Sequence, residues 1–286
     1  AGVVNVVHGR REAGEAIVRH RGVSMIGFTG SIPAGVAIQV EAAKHGLKRC
    51  NLELGGNAPL IVCDDYAIEA AADVAMACFG NNGQSCTSVR RVFVSRGRRD
   101  ALLMALVARL KDRRLGHALD PSVAQGPVID AMAAERVVVA AREAQLRGAK
   151  LVVGGFKPKF PAGYFVAPTI ITDVPSAADP IVANELFGPL MVVRTYPDDE
   201  GVEAALRECD GSRYGLSANV LTRDSDLAAE IAARLPAGTV WVNGADVMNA
   251  TTPFGGIRMS GNGTKDLGVA ALDGYSNHKT VIHVHR

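Results

Sequence analysis

The 286-residue sequence has no uninterrupted apolar run of the roughly 20 residues that a membrane helix needs. Its first residues also lack the charged and apolar regions of a secretory signal peptide, so neither membrane insertion nor secretion is expected. An excess of one charge is missing as well, because 31 Lys and Arg against 29 Asp and Glu leave a net charge of +2. We therefore expect no membrane partner and no nucleic acid partner.

Cysteine is scarce, with five residues in the chain, and its spacing is irregular. The five cysteines form no C-x-x-C pair of the kind found in zinc and redox motifs. Reduced thiols in a cytoplasmic protein fit this usage best. The histidines His283 and His285 alternate with a strand period rather than with metal-ligand spacing, so no metal site is expected.

Hydrophobic residues make up 48% of the chain and charged residues 21%, which is typical of a globular protein with a substantial core. Short Val- and Ile-rich runs predict strands and alternate with Ala-rich helical stretches, which indicates an α/β fold with a mainly parallel sheet. The predicted strands are Val3–Val7, Met25–Phe28, Leu60–Val62, Arg91–Val94, Leu151–Val153, Leu190–Tyr196, Thr239–Val242 and Thr280–His285. The predicted helices are Pro33–His45, Ala67–Phe79, Ala101–Arg113, Ala131–Leu146 and Asp224–Ala233.

The stretch from Arg90 to Arg114 carries nine basic and two acidic residues. A polyanion site is one interpretation, but no interleaved aromatic residues or groove motif accompany the charges. The sequence favours a solvated helix face here.

Three short segments contain residues that could carry chemistry. The first, 28–35, predicts a strand end, a small-residue turn and a helix with Pro33 in its first turn. Backbone N–H groups and the helix dipole there would favour a phosphate, with Ser31 as a cap and Gly30 allowing close approach. An ordinary capped helix explains the same pattern.

The second segment, 52–59, places Glu53 in an apolar strand that Gly55 and Gly56 then interrupt. Desolvation would raise the pKa of this carboxyl group and make it a usable general base near neutral pH. The alternative is a glutamate that points out from a strand edge.

The third segment, 79–87, places Cys86 after a polar turn that contains glycine. A nucleophilic cysteine needs exposure and nearby backbone donors, and this context offers both. The other four cysteines lie in apolar or helical contexts that favour inert packing, and they are Cys50, Cys63, Cys78 and Cys209.

Together with three further motifs, these segments resemble the aldehyde dehydrogenase superfamily over essentially the whole chain. The further motifs are 184–189 (NELFGP), 238–243 (GTVWVN) and 253–261 (PFGG followed by SG). The resemblance implies a three-layer α/β/α catalytic domain and the C-terminal remainder of a Rossmann-like cofactor domain. It divides the chain into 1–55 for NAD(P) binding, 56–262 for catalysis and 263–286 as an oligomerisation tail.

The resemblance also implies oxidation of a small aldehyde to a carboxylic acid with NAD or NADP. Cys86 would attack the carbonyl, and Glu53 would activate the water that hydrolyses the resulting thioester. The implied cofactor-binding residues are Thr29, Gly30, Ser31, Leu54, Gly55, Glu185 and Phe187. The implied residues of the substrate pocket are Ser85, Thr87, Asn243, Val247, Met248 and Phe254.

Some features depart from the family pattern. Ser88, two residues after Cys86, stands where relatives more often have a smaller apolar residue or Gly, a mild change that leaves the assignment of Cys86 intact. Relatives also carry a long upstream segment, with an Asn of the oxyanion hole and a Lys that holds the adenosine ribose, and the sequence contains no counterpart. We therefore expect that upstream sequence is missing and that this chain alone is poorly active. Because relatives use their C-terminal strand to extend a neighbour's sheet, we expect a homo-oligomer.

Other functions compete with this interpretation. A cysteine hydrolase would need a histidine partner, and no His lies in the three segments. Coenzyme A-dependent acylation is closer in chemistry, but Glu53 favours water as the acyl acceptor. A non-catalytic interaction module is the third alternative, and the retained Cys86 and Glu53 argue against it.

Overall fold

The computed structural model describes residues 2–285 and confirms the predicted α/β class. The strands are β1 Met25–Thr29, β2 Arg49–Glu53, β3 Ala58–Val62, β4 Val89–Ser95, β5 Lys150–Val153, β6 Thr169–Thr172, β7 Leu190–Tyr196, β8 Ser217–Leu221 and β9 Thr239–Val242. The helices are α1 Arg11–Arg19, α2 Ile32–Lys44, α3 Ile68–Ala75, α4 Arg99–Lys111, α5 Ala131–Leu146, α6 Pro180–Ala183, α7 Val202–Asp210, α8 Ser225–Arg234 and α9 Gly268–Gly274. Short 3-10 turns cover Met76–Gly83, Arg96–Arg98 and Arg258–Ser260.

The contacts divide the chain into two compact units, which are Gly55–Val247 and the combination of Ala1–Leu54 with Met248–Arg286. The sequence prediction also placed a boundary near residue 55. Residues 248–262 lie with the first part of the chain, whereas the prediction put them in the middle segment. The roles assigned to the three predicted segments stay predictions.

The unit formed by the two chain ends contains a two-stranded parallel sheet, in which β1 pairs with β2 from Met25 opposite Arg49 to Thr29 opposite Glu53. Helices α1 and α2 pack together beside this sheet. Its small core is formed by Val18, Ile26, Ala42, Cys50, Leu52 and Leu54.

The unit Gly55–Val247 is built on a seven-stranded sheet of order β5-β6-β7-β4-β3-β8-β9. All neighbouring pairs are parallel except β5 with β6. Parallel strands need crossover connections, and the helices supply them. Strands β3 and β8 are buried along their whole length, as central parallel strands usually are.

Alternate residues of one strand belong to different clusters, which shows that helices cover both faces of this sheet. Leu60 and Val62 of β3 pack with α3 and α4, whereas Ile61 between them packs with α7 and α8. In β7, Met191 joins the first of these clusters, and Val192 packs against α5 and α6. Side chains two residues apart in a strand share a face, so the unit has three layers, α/β/α.

Two predicted strands are wrong. Residues 3–7 and 280–285 form no strand, and their valine and isoleucine side chains are highly exposed. The apolar pattern is present in both segments, but a strand also needs a hydrogen-bonding neighbour, and neither segment pairs with another described part of the chain. Pattern alone therefore overpredicted structure at both ends.

The basic stretch 90–114 is also not a solvated helix face throughout. Arg90 and Arg91 lie in β4, and each is only 4% exposed. Helices pack on both faces of the sheet at β4, because Val92 and Val94 pack with α3 and α4 whereas Phe93 packs with α7 and α8, so side chains on both faces of this strand are covered. Within residues 2–285, no helix combines the length and the apolarity of a bilayer-spanning segment.

Candidate active site

Three turns that precede neighbouring parallel strands meet in the unit Gly55–Val247 and form the candidate site. Gly56 comes just before β3, Cys86 before β4 and Glu185 before β7, and these strands are adjacent in the order β3-β4-β7. The amino ends of adjacent parallel strands lie at the same edge of a sheet. Topology therefore assembles residues that are up to 129 positions apart in the sequence.

Gly56 contacts both the Cys86 turn and the Glu185 turn. Its backbone N–H donates to Glu185 Oε1 at 3.1 Å, and a Cβ at this position would lie 2.1 Å from the carbonyl oxygen of Cys86. A Cβ on Gly55 would likewise lie 2.1 Å from Glu185 Oε2. Only glycine lets the chain pass this closely between the cysteine and the glutamate.

The turn that leads to Cys86 is bent by two left-handed residues. Asn81 and Asn82 have φ values of 46° and 58°, and Asn is among the few non-glycine residues that adopt this conformation readily. Asn81 Nδ2 donates to the carbonyl oxygen of Gln84 at 3.0 Å. Cys86 itself is partly exposed, as its proposed role as a nucleophile requires.

The other four cysteines are buried, in agreement with their predicted packing role. Burial raises the pKa of the Cys63 and Cys209 thiols to about 12 and that of Cys78 to about 11. Burial also raises the pKa of Cys50. A buried thiol whose pKa is raised supplies almost no thiolate near neutral pH.

Polar contacts hold the two residues beside Cys86. Thr87 Oγ1 donates to Asp246 Oδ1 at 2.5 Å, and Ser85 Oγ lies 2.9 Å from the same hydroxyl. Asp246 has a positive φ of 59° and was not singled out from the sequence. Ser85 and Thr87 were predicted to line a substrate pocket, and they lie next to Cys86 in a hydrogen-bonded chain.

Glu185 is a partly buried carboxylate, and its surroundings act on its pKa in opposite directions. Burial raises the pKa of this carboxyl group, whereas the N–H of Gly56 and the charges of Arg90 and Arg136 act to lower it. Phe187, two residues later, has a φ of 53° and is 38% exposed. The turn thus presents an aromatic ring to solvent beside a hydrogen-bonding carboxylate.

Arg90 also contributes to this region, although its sequence context does not mark it as a site residue. Its guanidinium donates to the carbonyl oxygens of Gly83 and Gly188, one in each of the turns that carry Cys86 and Glu185. In the sequence it is one of nine basic residues in a charged stretch. Only the tertiary structure distinguishes it from its neighbours.

Glu53 lies in the other unit, at the end of β2, and is 5% exposed. Both of its carboxyl oxygens are buried and accept no hydrogen bond of regular geometry among the described residues, although the backbone of Gly256 approaches closely enough to act against the rise in pKa. Burial, and secondly the nearby Asp266, raise the pKa of Glu53 to about 7, although Lys265 opposes them. This is the desolvated carboxyl group that the sequence predicted, and it does not point out from a strand edge.

A glycine and a polar network surround Glu53. A Cβ on Gly255 would lie 2.6 Å from Glu53 Oε1, and Lys265 Nζ donates to the carbonyl oxygen of the same glycine. Asn51, two residues before Glu53 in β2, donates to Asp266. The network keeps two charged groups near Glu53 without bonding either of them to its carboxyl group.

The predicted phosphate-binding turn lies in the same unit as Glu53. Ser31 caps α2 by accepting from the N–H of Ala34 at 3.4 Å, and the N–H of Gly30 donates to the carbonyl oxygen of Glu53 at 3.0 Å. Thr29 and Ser31 are exposed. Leu54 is buried against Gly35, and its N–H donates to the carbonyl oxygen of Ser260 at 2.9 Å. The capped helix is thus present, and its role in binding phosphate stays a prediction.

The remaining predicted pocket residues have other partners within their own units. Asn243 Oδ1 accepts from the N–H of Thr222 at 3.0 Å, and Val247 accepts from Trp241 Nε1 at 2.8 Å. Phe254 forms an antiparallel bridge with Asp266, and Met248 is 50% exposed. Among residues 2–285, no group of three His, Cys, Asp or Glu side chains could hold a metal ion.

The model of the aldehyde dehydrogenase family matches residues 1–281. This chain belongs to the aldehyde dehydrogenase family. It is 39% identical over 282 residues to the mitochondrial aldehyde dehydrogenase of Mesocricetus auratus, covering 98% of this chain and 55% of that protein. It is 38% identical over 284 residues to the betaine aldehyde dehydrogenase of Brucella anthropi, covering 98% and 57% respectively.

Solved aldehyde dehydrogenase structures share the fold. The γ-glutamyl-γ-aminobutyraldehyde dehydrogenase of Burkholderia cenocepacia superposes with a TM-score of 0.90 at 39% identity, over 96% of this chain and 55% of that one. The NAD+ complex of an aldehyde dehydrogenase from Bacillus cereus gives a TM-score of 0.87 at 36% identity, over 93% and 53%. The chain therefore spans about half the length of the relatives that it matches.

Proposed function

We propose that this member of the aldehyde dehydrogenase family carries the catalytic residues for oxidising an aldehyde to a carboxylic acid with NAD or NADP. The observation that carries the proposal is the contact of Gly56 with both the Cys86 carbonyl and the Glu185 carboxylate. It brings the backbone of the residue that carries a partly exposed thiol next to a carboxylate suited to bind a sugar hydroxyl. The chain spans about half the length of these relatives, so the activity of the whole enzyme is part of the proposal.

The nicotinamide nucleotide fits the donor and acceptor groups that the chain offers. The Glu185 carboxylate can accept from ribose hydroxyls, the exposed ring of Phe187 can pack against an aromatic base, and the N-terminal turn of α2 after Thr29, Gly30 and Ser31 can donate to phosphate. When bound, this cofactor would supply the two-electron oxidant for the reaction. The NAD+ in the Bacillus cereus relative supports the cofactor class, without deciding between NAD and NADP here.

The chain's own residues would carry the covalent steps. The Cys86 thiolate attacks the aldehyde carbon and forms a thiohemiacetal, and its oxidation leaves a thioester on Sγ. Glu53 accepts a proton from the water that cleaves this thioester, which releases the carboxylic acid and restores the thiol. A pKa of about 7 makes Glu53 an effective base near neutral pH.

The test measures the reduced nucleotide and the carboxylic acid formed by the purified chain with a panel of aldehydes. We expect both products in equal amounts but at a low rate, since this chain alone is expected to be poorly active. We expect loss of both products in Cys86→Ser, and at most one reduced nucleotide per chain in Glu53→Gln, because its thioester is not hydrolysed. Cys209→Ala is the matched control, since Cys209 is buried in α7. Full activity of Cys86→Ser would refute the proposal.

Adding coenzyme A to the assay tests the competing acyl-transfer reaction. We expect the carboxylic acid to remain the product when coenzyme A is added to the same assay, because Glu53 favours water as the acyl acceptor. Stoichiometric acyl-CoA would instead assign this chain to acylating chemistry.

A further inference from the structure

The guanidinium of Arg90 joins two turns of the chain. It projects from β4, is 4% exposed, and donates from Nη1 to the carbonyl oxygen of Gly188 and from Nη2 to that of Gly83. Gly83 precedes Cys86 by three residues, and Gly188 follows Glu185 by three residues. One side chain is therefore bonded to both of the turns that carry the proposed site.

The junction around Arg90 is tightly packed. A Cβ on Gly83 would lie 2.4 Å from the carbonyl oxygen of Gly188 and 2.7 Å from Arg90 Nη1. Cys78 Sγ adds a contact of 3.5 Å to the carbonyl oxygen of Leu190, which connects the same two stretches of chain. Neither turn can shift without moving the other or breaking these contacts.

An arginine is a costly way to fill such a junction. Burial disfavours its charge and lowers the pKa of the guanidinium, and the neighbouring Cys78 and Glu185 oppose this effect without overcoming it. Apolar side chains usually stabilise a core at least as well as buried charges. The planar guanidinium, however, offers donors in a fixed fork, which holds two acceptors at a set distance as neither an apolar side chain nor lysine can.

We propose that Arg90 is a positioning residue that keeps the Cys86 turn and the Glu185 turn in a fixed relation. It touches neither reacting atom and acts through the carbonyl groups of Gly83 and Gly188. The effect of Arg90 on catalysis rests on the proposed function. The claim that Arg90 keeps the two turns in a fixed relation does not depend on that function. The two claims can therefore be tested separately.

Hydrogen exchange in the intact 286-residue chain tests the bridge. Arg90→Lys keeps the charge but loses the fork, so deuterium uptake should rise together in peptides covering 79–88 and 184–190. Arg98→Gln is the matched control, because Arg98 also donates to two backbone carbonyl groups, those of Cys63 and Tyr66, which lie outside both turns. Uptake that rises in only one turn, or in neither, overturns the proposal.

Alkylation of Cys86 by iodoacetamide, followed by peptide mass spectrometry, measures the effect on the nucleophile. We expect the rate constant to fall about threefold in Arg90→Lys and at least tenfold in Arg90→Gln, and to stay within twofold in Arg98→Gln. Should Arg90→Gln not fold, the Arg90→Lys result decides. A rate unchanged in Arg90→Lys, or lowered equally in Arg98→Gln, overturns the positioning role.

Neither readout needs aldehyde or nucleotide. Failure of the aldehyde assay together with the expected exchange and alkylation results would overturn the proposed function and leave the role of Arg90 in place. In an active chain, Arg90→Lys should lower kcat with little change in KM for the aldehyde. Equal losses of kcat in Arg90→Lys and Arg98→Gln would count against positioning.

Discussion

At the scale of single residues, burial separates the cysteines of this chain into two classes. Cys86 is partly exposed beside polar groups, whereas Cys63, Cys78 and Cys209 are enclosed in the clusters on either face of the sheet. The sequence predicted this division from local context. The structure adds the cause, which is the position of each residue relative to the seven-stranded sheet.

Selective alkylation follows from that division. With a limiting amount of iodoacetamide at neutral pH, we expect Cys86 to be modified at least tenfold faster than any other cysteine, because the others are buried and their pKa values are raised. Peptide mass spectrometry measures each site. Equal labelling of all five in the folded protein would contradict this prediction, and labelling in urea serves as the control for intrinsic reactivity.

Glu53 predicts a pH dependence of stability. Its pKa is about 7 in the folded chain against 4.5 for an ordinary glutamate, so between these values the folded state retains a proton that the unfolded state has lost. Stability contributed by this group is therefore complete below about pH 4.5 and is lost as pH rises through 7. The shift corresponds to at most about 3 kcal/mol.

Glu53→Gln removes this titration, since glutamine remains neutral. The free energy of unfolding of the variant, relative to the unchanged chain, should increase by about 1 to 3 kcal/mol between pH 5 and pH 8. Urea unfolding at both pH values measures the difference. A difference independent of pH would show that the carboxyl group is already charged at pH 5 in the folded state.

At the scale of elements, backbone conformation decides how the chain reaches Cys86. The Ala-rich pattern predicted one helix over 67–79, but α3 ends at Ala75 and a bent 3-10 segment follows to Gly83. The left-handed residues Asn81 and Asn82 produce this bend. Their effect was not visible in the hydrophobic period, because it depends on φ rather than on side-chain polarity.

Two substitutions at Asn81 isolate the conformational effect. Asn81→Val and Asn81→Gly both lose the bond to the Gln84 carbonyl oxygen, but only valine is strained at a φ of 46°. We expect Asn81→Val to unfold about 1 to 2 kcal/mol more easily than Asn81→Gly in chemical denaturation. Equal stabilities would mean that the bend relaxes without cost.

At the scale of the whole molecule, both chain ends expose apolar side chains. Val281, Ile282 and Val284 are 65%, 80% and 80% exposed, and Val4 near the other end is 86% exposed. Burial of such side chains lowers free energy by about 1.5 kcal/mol or more each. The predicted homo-oligomer would provide a place for them to be buried.

Light scattering during size-exclusion chromatography tests this prediction. We expect a particle of at least twice the 29.9 kDa chain mass, and a smaller particle when Val281 and Ile282 are both replaced by Lys. Met104→Lys is a control, because Met104 is 69% exposed on α4 and belongs to the other unit of the chain. A monomeric mass for the unchanged chain would contradict the prediction.

Among the described residues, the sequence by itself determined the α/β class, five of the nine α-helices and six of the nine strands, and it offered the desolvated setting of Glu53 as one of two interpretations. These depend on local periodicity and on the residues that end each element, which are read directly from the chain. It missed the strands β6 and β8 and the helices α1, α6, α7 and α9. Strand β8 is central, and it was missed because the run SANVL carries Ser217 and Asn219 in buried positions. These polar residues interrupt the apolar pattern of a strand, although the strand is buried on both faces.

Only the tertiary structure decided which residues meet. Gly56, Cys86, Arg90 and Glu185 come together because β3, β4 and β7 are neighbours in the sheet, an order that differs from their order in the chain. Strand pairing depends on contacts between distant segments, which local pattern does not contain. For the same reason, residues 3–7 and 280–285 have a strand-like sequence but form no strand without a neighbour to pair with.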